Sequence, residues 1–394
     1  MSRSYDFDSI INRRNTDSVK WDYMAAKYGR EDLIHLGVAD MDFKSPKPIL
    51  DALQKVIDFG VFGYTGLKNS FFTSIQGWIE KKTGICIPKE WIVYCPKVNM
   101  AASICVEALT KPDTKVIINS PLYNPLREAV TKNSRRLVES PLIMQNGRFA
   151  INFDYLEAAA DNDTQMFIIS NPDNPSTRVW SKEELNRLTD FCNKNDLILF
   201  SDEIHSDILA EGVRFFSSLN LGPEIYDRLV YASSLTKTFN IPGIVISYMI
   251  IPNKELRDKI KKSIDRLALN SPNIFSLAAV EAAYNCCDDW LKAVNEYINE
   301  NEKFFRGYVK EYMKEFKVMP REGTYLLWVD YSELEIDENR LCSWFINDAK
   351  VEVQMGSVFG KDGKGYFRVN IATSRKLLLQ ALENMKNAYM KLKC

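Results

Sequence analysis

The residues with the clearest chemical character gather around one lysine. Lys237 lies in Ala232-Ser233-Ser234-Leu235-Thr236-Lys237-Thr238-Phe239-Asn240-Ile241-Pro242-Gly243, just past the apolar run Leu229-Val230-Tyr231. Hydroxyls crowd it, and Leu235 and Phe239 set apolar surface beside it. Partial desolvation lowers the pKa of such an amine and makes it more nucleophilic, the property of a Schiff-base lysine. An ordinary charged residue on a strand–helix loop is the competing reading. Other polar devices also end apolar runs. Lys97-Val98-Asn99-Met100-Ala101 reads as a turn into a helix, whose unpaired amides suit an anion. Tyr123 sits between Pro121 and Pro125, and Asn174 lies in Asn171-Pro172-Asp173-Asn174-Pro175. Asp202 and His205 follow another apolar run, and a carboxylate buried there calls for a cationic partner. Arg368, in Tyr366-Phe367-Arg368-Val369-Asn370-Ile371, is either an edge-strand charge or a bidentate ligand for a carboxylate. Tyr64, flanked by Gly63 and Gly66, is either a turn aromatic or a positioned phenol.

The elements that must position these residues follow from hydrophobic periodicity. Strands are expected at 91–94, 115–118, 165–169, 197–200, 229–231 and 243–251. Helical patterns fall at 48–59, 69–84, 99–109, 125–131, 154–160 and 181–193. Asn69 or Ser70 would cap the second helix, and Ser181 with Glu184 has capping-box spacing. This alternation predicts an α/β fold with a mostly parallel central sheet and helices on both faces. Ligands of such sheets lie beyond the carboxyl ends of the strands. Past residue 253, helices at 255–269, 273–285 and 289–316 precede strands at 324–329 and 366–371, with helices near 339–348 and at the end. The expected division is an N-terminal arm over 1–45 belonging to a smaller α+β domain, a large domain over 46–288, and the rest of the small domain over 289–394. Within the arm, Gly37–Phe43 alternates like a short strand.

Bulk properties narrow the function classes. In 394 residues the hydrophobic share is 46%, the charged share 26% and the formal net charge -1. Nothing there favours a nucleic-acid or membrane partner. The N-terminal residues lack a signal-peptide core and no apolar stretch reaches the roughly 20 residues of a membrane helix, so a cytoplasmic protein is expected. The 8 cysteines are scattered without a Cys-x-x-Cys pair, and 2 histidines make a His/Cys metal site improbable, so the cysteines are expected to be reduced core thiols.

Together these residues match the needs of pyridoxal 5'-phosphate. Lys237 supplies the amine, Asp202 the acid for the ring nitrogen, and Asn174 with His205 the donors to the ring oxygen. Tyr123 gives a stacking face, and Ser234 with the Lys97–Ala101 turn, including Val98 and Asn99, a phosphate cup. Arg368 remains for an amino-acid carboxylate. Over essentially its whole length the sequence resembles fold type I pyridoxal-phosphate enzymes of the class I/II aminotransferase superfamily, and among them the MalY/PatB-type cystathionine β-lyases. The resemblance rests on Arg13-Arg14-Asn15-Thr16, Val38-Ala39-Asp40-Met41-Asp42-Phe43, Gly63-Tyr64-Thr65, Pro121–Pro125, Asn171–Pro175, Ser201–His205, Ser234–Asn240, Gly323–Leu326 and Arg368–Ala372. It implies that Lys237 carries the imine to the cofactor and is the catalytic residue. It also implies that Tyr64 reaches the phosphate of the other subunit of a homodimer, and that Arg368, with Ala39 nearby, receives the substrate.

The implied reaction is α,β-elimination from an L-cysteine S-conjugate to a thiol, pyruvate and ammonia. Aminotransfer is the alternative, and a cofactor-binding regulator with vestigial catalysis a third. The chain departs from the branch at several positions. Lys97 replaces a usual glycine, Asn99 a valine and Met100 a proline, so the turn must avoid positive φ or accept strain. Val245 stands where many aminotransferases have a phosphate-binding arginine. Thr177, Asp173 and Leu235 replace a usual glycine, histidine and proline. Lys97 either supplies charge to the phosphate or points to solvent.

Overall fold

The computed structural model describes residues 5–393. Its main sheet has seven strands, ordered Ile92–Cys95, Ser247–Ile250, Leu229–Ser233, Ile198–Asp202, Thr164–Ser170, Lys115–Ser120 and Arg136–Pro141. All run in one direction except Ser247–Ile250, which is antiparallel to both neighbours. The central strands are buried on both faces, as expected for parallel strands covered by helices. Residues such as Ile117, Phe167 and Tyr231 join the core on one side, and Ile118, Ile168 and Val230 the core on the other. The mostly parallel α/β sheet expected from the sequence is therefore present, with one extra edge strand, Arg136–Pro141.

The helices form where apolar periodicity and caps coincide. Lys182–Lys194 opens with Ser181 accepting from the Glu184 N–H while the Glu184 side chain accepts from the Ser181 N–H, a complete capping box. Asn69–Thr83 stops at Gly84, whose φ of 74° suits glycine. Its N-cap is Lys68, without a side-chain cap bond, so neither Asn69 nor Ser70 serves as the cap.

A second sheet, ordered Lys317–Val318, Leu326–Asp330, Tyr366–Asn370 and Gln354–Met355, carries Arg368. The strand of Arg368 is paired on both sides, which removes the edge-strand reading. The arm also corrects an expectation. Gly37–Phe43 forms no strand; only Ile34–His35 pairs, in parallel with Val351–Glu352. Side chains take over the backbone partners that a ladder would have supplied. Asn370 Nδ2 donates to the Val38 and Asp40 carbonyls (2.8 and 2.6 Å), and Asn240 Nδ2 to those of Met41 and Phe43 (3.0 and 2.7 Å). The acidic residues of this segment are then pinned from the arm. Arg13 makes a two-pronged pair with Asp40 (2.9 and 2.7 Å), and the buried Lys20 ammonium lies 2.7 Å from Asp42.

Among the described residues no helix is long and apolar enough to cross a membrane. The seven described cysteines are free, and Cys86 and Cys286 are exposed rather than in the core.

Candidate active site

The carboxyl ends of the main-sheet strands and the strand of Arg368 converge on a cavity of about 400 Å³, a size typical of small-molecule sites. Its wall includes Ala39, Val98, Asn99, Tyr123, Asn174, Asp202, His205, Ser234, Lys237 and Arg368, so the fold brings together every candidate except Tyr64. Tyr64 lies in the irregular segment after Lys47–Phe59 and is fully exposed, away from the cavity of its own chain.

Lys237 sits on the short helix Leu235–Thr238, started by Ser234, whose side chain accepts from the Thr236 N–H. Its Nζ donates to the Ala39 carbonyl at 2.6 Å, and the Tyr325 hydroxyl donates to the same oxygen at 2.9 Å. Burial pulls the Lys237 pKa down to about 8, with Asp40 and Asp202 opposing the shift and Arg368 adding to it. Asp202 closes the strand Ile198–Asp202 and is almost fully buried; its Oδ1 accepts from the Ile204 N–H at 3.1 Å. Burial lifts its pKa to about 7. His205 lies just beyond, with Nδ1 lacking a partner, and burial with the nearby cations holds its pKa well below the usual imidazole value.

Arg368 donates through one terminal nitrogen to Asn174 Oδ1 (2.9 Å) and through the other to the Gly37 carbonyl (2.8 Å), over the ring of Phe359. Its Nε is buried without a partner, and burial draws its pKa down to about 10. Because Asn174 spends its oxygen on Arg368, its Nδ2 is left to donate elsewhere.

At the far end, the helix Val98–Leu109 begins at the cavity and presents its first N–H groups there. Its N-cap, Lys97, has φ -142°, extended backbone that any residue adopts, so losing the usual glycine costs no strain. Lys97 borders the cavity yet is exposed, and Val245 lines the same wall. The Ser234 hydroxyl donates to the Ile246 carbonyl at 2.6 Å. Thr177 takes up strain: it is buried with φ 64°, a left-handed conformation costly for a β-branched residue. Asp173 is fully buried, accepts from the Ser176 hydroxyl at 2.5 Å, and is pushed up to about 7 by burial.

Sequence reasoning passed over Thr236, Tyr325 and Gln354. Thr236 and Gln354 line the cavity, and Gln354 stands directly across the ladder from Arg368. Thr236 belongs to the hydroxyl cluster around Lys237, and Tyr325 to the Gly323–Leu326 segment that carries part of the family resemblance. Gln354 carried no local signal, because only strand pairing places it beside Arg368.

The site is thus short of partners. It holds a buried carboxylate in contact with no described cation, an unpaired imidazole nitrogen, an unpaired guanidinium N–H and a helix N-terminus. A planar ligand with a protonated ring nitrogen, an anionic ring oxygen and a phosphate fits the carboxylate, the imidazole and the helix N-terminus, and leaves the guanidinium N–H for a second anionic group.

The chain matches the family "Aminotransferase class I and II" over residues 31–385. It is 34% identical to cystathionine beta-lyase PatB of Bacillus subtilis, with 97% of this chain and 99% of that protein aligned. It is 30% identical to protein MalY of Escherichia coli, with 98% of each covered. Cystalysin from Treponema denticola, whose crystal structure contains a pyridoxal 5'-phosphate cofactor, superposes with a TM-score of 0.95 at 31% identity, over 99% of this chain and 100% of that one. A pyridoxal-phosphate-bound C–S lyase from Staphylococcus hominis gives a TM-score of 0.91 at 30% identity, over 98% of both chains. With this fold, this cavity and these relatives, the chain belongs to the aminotransferase class I and II family, on the branch of the PatB and MalY proteins.

Proposed function

We propose that the protein is a pyridoxal-phosphate-dependent C–S lyase that cleaves L-cysteine S-conjugates such as cystathionine. The observation that carries this reading is the joining of Lys237, Asp202 and Arg368 around one cavity, in a chain whose full-length relatives include a cystathionine β-lyase. Arg368 receives the α-carboxylate and, held on both sides by Asn174 and Gly37, fixes the orientation of the Cα–H bond. When bound, pyridoxal phosphate supplies an electron sink for the charge that develops at Cα. Asp202 would keep a proton on its ring nitrogen, Asn174 and His205 would serve its ring oxygen, and Tyr123 would offer it a stacking face. The first turn of Val98–Leu109, with Ser234, would hold its phosphate. Lys237 Nζ takes the α-proton. The Cβ–S bond then breaks, the sulfur leaves as thiolate, and one water is consumed as pyruvate and ammonia are released.

The deciding assay incubates the purified holoenzyme with L-cystathionine, with and without a 2-oxo acid. Pyruvate formed without the acceptor is expected. Amine transfer only with the acceptor would instead make the protein an aminotransferase, and neither product would point to another substrate or to a regulator.

Arg368→Leu is expected to raise KM for cystathionine by roughly 10²-fold, because the substrate carboxylate loses a buried charged partner. Cofactor binding, read from its absorbance, should persist. Equal loss of both would remove Arg368 from the carboxylate role.

The same reading divides the chain into the arm (1–45), the large domain (46–288) and the remainder of the small domain (289–394), and makes it a homodimer. Phe59, Val61, Phe62 and Tyr64 are all more than half exposed, an apolar run that a second copy would cover while Tyr64 reached its phosphate site. Co-expressed Lys237→Ala and Tyr64→Ala chains test this. If subunits share sites, mixed dimers regain about a quarter of wild-type activity by random pairing. No recovery, or a monomeric mass by light scattering, would refute it.

A further inference from the structure

Behind Arg368 lies a buried carboxylate that no step of the reaction uses. Glu352 is 2% exposed and ends the two-residue ladder in which Ile34–His35 pairs with Val351–Glu352. Its backbone carbonyl accepts from the Leu36 N–H at 2.7 Å, and its side-chain Oε2 accepts from the Gly37 N–H at 3.1 Å. The Gly37 carbonyl in turn accepts from Arg368 at 2.8 Å. One glycine therefore links the carboxylate to the guanidinium. The fit there is close: a Cβ added at Gly37 would lie 2.3 Å from Glu352 Oε1, and its three nearest atoms all belong to the Glu352 carboxylate group. The imidazole of His35, 3.7 Å away and edge-on to Trp21, closes the other side. Residues 34–37 are thus gripped between Glu352 and the Arg368 strand, where the Asn370 N–H donates to the Leu36 carbonyl at 2.7 Å.

We propose that Glu352 is a positioning residue for the substrate-carboxylate subsite: by holding Gly37 against its own side chain, it sets the carbonyl that aims Arg368. Without this hold the arm segment loses one of its fixed points, and the guanidinium gains freedom that the carboxylate must remove on binding. This rests on the assignment of Arg368 to the substrate carboxylate.

The test compares two ligands on the holoenzyme, read by the absorbance of the bound cofactor. 2-Methylalanine carries a carboxylate but no α-hydrogen; isopropylamine is the same skeleton without the carboxylate. Glu352→Leu is expected to weaken 2-methylalanine by roughly tenfold or more, and isopropylamine by less than twofold. Glu352→Gln, which keeps an oxygen for the Gly37 N–H, should stay within about threefold of wild type. Gly37→Ala should also weaken 2-methylalanine selectively, and Gly37→Ala/Glu352→Ala should be no weaker than Glu352→Ala alone, since truncating Glu352 removes the clash. Equal weakening of both ligands, an unchanged Glu352→Leu, or a Glu352→Gln loss matching that of Glu352→Leu overturns the proposal. Neither ligand can release pyruvate, so the outcome stands apart from whether cystathionine is cleaved.

Discussion

Lys237→Ala should lower the rate of pyruvate release from cystathionine by roughly 10³-fold or more, the scale of a lost general base that is also the amine anchoring the cofactor. The cavity offers few competitors for the role. Burial and neighbouring cations make His205 a poor base, and burial raises Tyr123, so its phenol stays protonated. Arg368, even drawn down to about 10, keeps its proton at neutral pH. Lys237, at about 8, exchanges its proton near working pH; Asp202, at about 7, does so too, but the proposed function reserves it for the ring nitrogen. Its Nζ is already placed by the Ala39 carbonyl, so the amine arrives oriented. The variant should keep its fold, and adding methylamine should recover part of the rate. Activity above a tenth of wild type would remove Lys237 from the catalytic role.

Asp202→Asn is expected to act with opposite signs on function and on stability. Asparagine keeps an oxygen for the Ile204 N–H but cannot balance a protonated ring nitrogen. Breaking a buried pair of this kind costs about 3–5 kcal/mol, so kcat should fall by roughly 10²- to 10⁴-fold and the cofactor should bind more weakly. In the cofactor-free protein the same carboxylate is a burden. Its pKa rises from 3.8 unfolded to about 7 folded, so between these values the folded state holds the extra proton. The associated stability is fully present below pH 4 and is lost as pH rises through 7, by on the order of 4 kcal/mol at full ionisation. Asp173, raised to about 7 by burial, contributes in the same direction. Between pH 5 and 8 the melting temperature of the cofactor-free wild type should therefore fall more steeply than that of Asp202→Asn, and the variant should melt higher at pH 8. Parallel curves would show that this carboxylate is not the titrating group. A loss of function accompanied by a gain in stability marks a residue kept for its chemistry.

Much of this site was legible in the order of residues because each device ends a strand. Apolar runs such as Phe167-Ile168-Ile169 announce buried parallel strands, and the polar residue that follows each one must lie at a carboxyl end. The edge strand Arg136–Pro141 escaped because it is only half-buried and carries Arg136, Glu139 and Ser140, which break both period and propensity. Gly37–Phe43 misled for a different reason. Its alternation is real, but most of its backbone partners are distant side chains, among them Asn240 and Asn370, roughly 200 and 330 residues away, and no local pattern records that. Arg368 could not be separated from an edge charge until the pairing of its strand was known, and Gln354 became visible only through that pairing.

The Ala39 carbonyl, shared by Lys237 and Tyr325, has a consequence for how the protein is made. It meets partners 198 and 286 residues later in the chain, and Gly37 meets Arg368 331 residues later. A ribosome adding about 5–20 residues per second needs roughly 20 to 60 s to cover that last interval. Through that time the floor of the cavity, with Asp202 and then Lys237, can assemble while one wall is still unmade. The arm must wait, with Phe43 still lacking Tyr297, for segments that emerge later. With Arg368 in its proposed role, a nascent chain halted before residue 368 would hold the lysine and the acid yet lack the guanidinium for a carboxylate, so substrate recognition would be the last property this polypeptide acquires.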